Sequence, residues 1–113
     1  MLSQNEISEI VQELCMDLDK LFPRQKKDVI LFGSYARGDS EFGSDLDLMI
    51  LVDSDREQIA GKSREISDAA GELLLEYGIL ISPIVENRAY FQRNADIFPF
   101  YRNILREGVR LGA

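Results

Sequence analysis

The sequence predicts a small α/β (α+β) domain, a mixed sheet of about three strands with flanking helices. Three observations carry this. Apolar residues recur at helical spacing in two long segments, 3–22 and 55–77. Short apolar runs begin near Asp28, Asp45 and Ile79. The 113 residues are 45% hydrophobic and 29% charged, a globular composition expected to make a single domain over 1–113.

The first helix is expected from Ser3 to Phe22. Ser3 and Glu6 have capping-box spacing. Ile7, Ile10, Val11, Leu14, Leu18 and Leu21 make one apolar stripe, and Pro23 discourages continuation. Cys15 lies near that stripe and reads as packing. The run from Asp28 to Phe32 is continuously apolar after its first residue, as in a strand covered on both faces. A loop from Gly33 to Ser44 leads into a second strand, Asp45 to Asp53. Its early part alternates: Asp45, Asp47 and Met49 share one face, and Leu46, Leu48 and Ile50 the other. Ser54 and Glu57 suggest a second capping box, with Asp53 beside it as a cap. One helix is expected from about Asp55 to Tyr77, closed by Gly78. A third strand runs from Ile79 to Val85, and Pro83 puts it at an edge or beside a bulge. A helical turn fits 89–93. Pro99 opens a last helix in which Phe100, Ile104 and Leu105 are expected to be buried, ending at Gly108.

Composition removes several function classes. The chain has no His, which excludes His-based nucleophile systems and His-containing zinc sites. A single Cys excludes an internal disulfide. Thirteen basic against 20 acidic residues give a net charge of −7, which argues against general nucleic-acid binding. No apolar stretch reaches membrane-span length, and no signal-peptide pattern opens the chain. A cytoplasmic protein without membrane association is the expectation.

The chemistry is concentrated between Leu31 and Leu48. Gly33-Ser34 at the end of a buried strand exposes backbone N–H groups and a small hydroxyl, and can cradle phosphate oxygens. Arg37 adds a forked cation for phosphate, though it could equally pair with Asp39 or Glu41. Tyr35 could stack on a base or simply lie on the surface. Asp45 and Asp47, at i and i+2 on one strand, have Cα atoms about 7 Å apart and point the same way. Two such carboxylates can converge on Mg²⁺, which favours oxygen ligands and substrate phosphates. A Walker A reading fails, because Asp39 stands where that loop needs Lys. A phosphate cradle beside paired acids is the minimum for metal-assisted phosphoryl or nucleotidyl transfer.

With Gly33-Ser34, ten intervening residues and Asp45-Leu46-Asp47, the chain resembles the minimal nucleotidyltransferases. These are small members of the polymerase-beta-like superfamily. The likeness runs roughly over residues 28–107 and includes the apolar strand before the Gly-Ser and the strand–helix–strand order after it. It implies the nucleotidyltransferase fold. It implies Gly33 and Ser34 as nucleotide-binding residues, and Asp45 and Asp47 as catalytic ligands of Mg²⁺ or Mn²⁺. It implies ATP or another nucleoside triphosphate as substrate, with adenine specificity suggested by the family alone. It also implies a partner: a HEPN-type protein encoded nearby, whose tyrosine would receive AMP in a toxin–antitoxin module. A chain of this size has no second domain to hold another acceptor, which also favours a protein.

One position departs from the resemblance. The family's third carboxylate comes from the strand after the second helix, and alignment puts Ser82 there. Glu86 follows four residues later, on the same face of a regular strand. Two functions stand side by side on this ground. One is a nucleotidyltransferase acting on a protein hydroxyl. The other is a catalytically weak or inactive module of the same fold that acts by partner binding.

Overall fold

The computed structural model describes residues 1–111, and the element order extends the expected one. Helix α1 spans Gln4–Leu21. The Ser3 hydroxyl accepts from the Glu6 N–H, and the Glu6 carboxylate accepts from the Ser3 N–H. This is the expected capping box. Strand β1 is Asp28–Phe32, followed by a single helical turn, α2, at Ser34–Arg37. Strand β2 is Leu46–Val52. The helix expected over 55–77 is two helices, α3 at Arg56–Ala60 and α4 at Ser63–Tyr77. Its capping box is Asp55 with Gln58, not Ser54 with Glu57. Asp53 caps nothing there and pairs with Arg88, while Ser54 accepts from the Gln25 side chain. Strand β3 is Ile81–Asn87, α5 is Arg88–Asn94 and α6 is Pro99–Glu107. A fourth strand, β4 at Val109–Leu111, adds to the three expected.

The sheet order is β3-β2-β1-β4. Strand β1 is antiparallel to both β2 and β4, and β3 is parallel to β2. Pro83 therefore lies on an edge strand, where one side carries no ladder and a residue without an N–H is tolerated. Strand β2 is central. Its even-numbered residues, Leu46 to Val52, pack with Ile10, Leu14 and Leu18 of α1 and with Ile66, Ala69 and Leu73 of α4. Its odd-numbered Met49 and Leu51 pack with Ile30, Phe91, Tyr101 and Ile104 under α5 and α6. Helices on both faces explain the unbroken hydrophobicity of the strands. Ile10, Leu14 and Leu18 are fully buried, and each such side chain contributes about 1.5–3 kcal/mol. Tyr101 and Ile104 fill the second layer as one stripe of α6. Phe100 and Leu105 flank that stripe and stay half-exposed, contrary to the expected burial. Gly108 then lets the chain turn tightly onto β1, because a Cβ there would lie 2.5 Å from Ile30 Cγ2.

Among the described residues, no helix is long and apolar enough to cross a membrane.

Candidate active site

Strand β1 ends at Phe32, and the chain turns at once at Gly33. That turn has φ 75° and ψ −156°, a region essentially reserved for glycine. Space makes the same demand. A Cβ on Gly33 would sit 2.2 Å from Asp47 Oδ2. The turn is therefore pressed against one of the paired acids. In the sheet ladder Asp47 stands between Phe32 of β1 and Ser82 of β3. Asp45 precedes β2 by one residue and is exposed at the mouth.

These groups line one side of an open cleft of about 530 Å³, which holds Gly33, Ser34, Arg37, Asp45 and Asp47 together. Helix α6 forms the opposite wall through Phe100, Asn103, Arg106 and Glu107. Burial, reinforced by the charge of Asp45, pushes the Asp47 carboxyl above the usual carboxylate range, and Arg37 partly offsets this. Two acids thus face a cleft in which a cation would relieve their repulsion.

Arg37 bonds Asp39 at 3.2 Å and Glu107 at 3.3 Å. It does pair within its loop, but through Asp39 and not Glu41. The Glu107 carboxylate also accepts from the Gly33 N–H at 3.4 Å. One carboxylate oxygen therefore engages both the backbone donor and the cation expected to meet phosphate. Ser82 lies directly beside Asp47 across the parallel ladder. Glu86 lies four rungs further on, beside Leu51, buried and engaged. It accepts from the Tyr101 hydroxyl at 2.6 Å, the Asn87 N–H at 2.8 Å and Arg56 Nε at 3.3 Å. Its carboxylate holds α6 to β3 and does not line the cleft. Tyr35 turns away from the cleft, packs on the α1 side and accepts from the Leu2 N–H at 3.3 Å.

Residues 7–110 match the family model described as a nucleotidyltransferase domain. The chain belongs to the nucleotidyltransferase family. A relative from Methanocaldococcus jannaschii, with the name "putative protein adenylyltransferase", is 37% identical over 98 residues, 87% of this chain and 90% of its own length. A second protein of that name and organism is 43% identical over 81 residues, 71% of this chain and 79% of its own. Among solved structures, one described as "Crystal structure of the toxin-antitoxin with AMP-PNP" superposes with a TM-score of 0.58 at 18% identity. It covers 94% of this chain and 73% of that one, and it supports the fold.

The nucleotidyltransferase cleft offers hard oxygen donors of the kind Mg²⁺ prefers. Such an ion is commonly bound through one or two carboxylates plus substrate phosphates and waters. Asp45 and Asp47, both in the lining of the cleft beside the Gly33 turn, fit that requirement. Among the described residues no group of three His, Cys, Asp or Glu is placed to hold a metal. Of the α6 wall, Phe100 reads from the sequence as core or rim of the last helix rather than as a ligand surface, and Asn103, Arg106 and Glu107 are not singled out. The wall's one available signal is the i, i+3, i+7 spacing of Phe100, Asn103 and Glu107.

Proposed function

We propose that this nucleotidyltransferase moves AMP from ATP to a hydroxyl of a partner protein, in a toxin–antitoxin pair with a HEPN-type toxin. The observation that carries the reading is the placement of Gly33-Ser34 against Asp47 in one cleft. The relatives' name supports a protein acceptor and an adenylyl group. The description of the structural neighbour supports a toxin partner and an adenine nucleotide.

In this reading Gly33, Ser34 and Arg37 bind the triphosphate oxygens, and Asp45 and Asp47 hold the Mg²⁺ or Mn²⁺. The divalent ion, when bound, supplies charge neutralisation at the phosphates. The acceptor oxygen forms a bond to the α-phosphorus, the α–β anhydride bond breaks, and pyrophosphate leaves. The hydroxyl proton passes to solvent, since Ser82 beside Asp47 is no base. Orientation by the turn and by Arg37 supplies the in-line geometry. The Ser82 position also favours a second reading, a module that binds its partner with little or no transfer.

The test is incubation of the chain with Mg²⁺, each of the four nucleoside triphosphates and the product of the adjacent gene, followed by intact-mass spectrometry. An adenylyl adduct on the partner, lost in Asp45→Asn, is expected. A stable complex with no adduct from any triphosphate selects the second reading.

A further inference from the structure

We propose that helix α6 supplies the nucleoside half of this substrate site, with Phe100 as the surface on which the base stacks and Asn103 as the group that meets its edge. The inference rests on the nucleotidyl-transfer reading and extends it to residues on the opposite wall.

Phe100 is 49% exposed, although it sits in a helix whose neighbouring stripe is core. What sets it apart from the chain's other exposed apolar residues is its place, in the lining of the cleft that also holds Gly33, Arg37, Asp45 and Asp47. Its ring is held in place. It meets Phe32 edge-on, with centroids 5.8 Å apart and planes at 83°, and it lies 6.2 Å from Tyr101. Phe32 is the residue before Gly33 and the ladder partner of Asp47. The ring is therefore fixed to the strand end that carries the phosphate turn. Asn103 follows one turn later, on the same cleft wall. Its Oδ1 accepts from Arg106 Nη2 at 2.8 Å. That bond engages the carboxamide oxygen and leaves the amide N–H₂ as the donor available to a ligand. Such a donor suits the ring-nitrogen acceptors of a nucleobase. The cleft therefore has an ionic part, at Gly33, Arg37, Asp45, Asp47 and Glu107, and a part where Phe100 offers a ring face beside Asn103. A nucleoside triphosphate has the same two parts.

Calorimetric titration in Mg²⁺ with ATP and with inorganic tripolyphosphate separates them. The parent is expected to bind ATP more tightly than tripolyphosphate. Phe100→Leu keeps the packing bulk against Phe32 but removes the π-face. It is expected to lower ATP affinity about ten-fold, the scale of one lost base stack, with tripolyphosphate affinity unchanged. Asn103→Ala is expected to weaken ATP binding several-fold and to leave tripolyphosphate affinity unchanged. Thermal melts of both variants should match the parent within a few degrees, since Asn103 is exposed and leucine keeps apolar bulk against Phe32. Parental ATP affinity in Phe100→Leu overturns the proposal, and so does an equal loss of both ligands. Equal affinity of the parent for ATP and tripolyphosphate overturns it too, while leaving the phosphate site standing. Failure of the parent to bind either ligand removes the nucleotidyl-transfer reading itself.

Discussion

Gly33 and Asp47 cannot be varied independently, because the turn's Cα lies against the carboxylate. Gly33→Ala places a methyl group in a backbone region that costs about 1–3 kcal/mol for any residue but glycine, and also drives Asp47 out of position. The expected outcome is a loss of stability of at least that size in urea titration, together with loss of Mg²⁺-dependent ATP binding. Stability loss with ATP binding intact would detach the turn from the phosphate site. Asp47 itself gives a pH test. Its carboxyl holds a proton more tightly in the folded chain than in the unfolded one, through burial and then through Asp45. The stability this group contributes is therefore present at low pH and lost as pH rises through its folded value. Asp47→Asn removes the cost of the charged form. In chelator the variant is expected to melt above the parent at neutral pH. That margin should close as pH falls through the aspartate range. A margin that does not change with pH would mean that the buried charge of Asp47 is not what strains the site.

Helix α6 joins two functions through its two ends. Tyr101 anchors it to Glu86 of β3, and burial with that hydrogen bond pushes the Tyr101 hydroxyl far above its usual titration. Glu86→Ala leaves a buried hydroxyl without its acceptor, a loss of about 1–3 kcal/mol in denaturant titration. If Glu86 serves only as this anchor, ATP affinity measured well below the melting temperature stays near the parent's. A selective loss of metal dependence would instead make it a ligand. Glu107, at the other end, engages the Gly33 N–H and Arg37. Glu107→Gln removes an anion that competes with phosphate, so tripolyphosphate should bind several-fold tighter, with stability nearly unchanged because such exposed pairs contribute little. Weaker binding would show that Glu107 orders Arg37 for the ligand. These roles were not legible in the sequence, and the reason is physical. Periodicity shows which residues of α6 are apolar, but which flank faces Phe32 depends on packing, so Phe100 read as core. Strand β4 is three mostly exposed residues, Val-Arg-Leu, too short for their alternation to mark a strand, and only its pairing with β1 makes it one. The break at Gly61-Lys62 is hidden because Ile59 and Ile66 continue one apolar stripe across it. The strands around Asp45 and Asp47 were legible, because burial on both faces writes an unbroken apolar run. The Gly-Ser turn was legible because its chemistry is local.

In the proposed reading, charge couples the fold to its ligands. The chain carries −7, and its cleft adds Asp45, Asp47 and Glu107 to the triphosphate's own negative charge. Arg37 and Arg106 are the cations that line it. Nucleotide without metal meets carboxylates it cannot approach closely, and metal without nucleotide finds two acids and no phosphate oxygens. Each ligand should therefore raise the affinity of the other, a reciprocal coupling. Stability reports it, because a ligand that binds only the folded chain at about 100 times its dissociation constant stabilises by about 2.7 kcal/mol. For a domain of this size that is a rise of roughly 10 °C in melting temperature. The expected pattern is a small shift with Mg²⁺ alone, a small shift with ATP alone, and a shift with both that exceeds their sum. Asp45→Asn should reduce the combined shift toward the sum of the separate ones, because the ion then loses one of its two carboxylates. Additive shifts in the parent would mean that metal and nucleotide occupy separate places, and the paired aspartates would then lose their assignment as the ligands that join them.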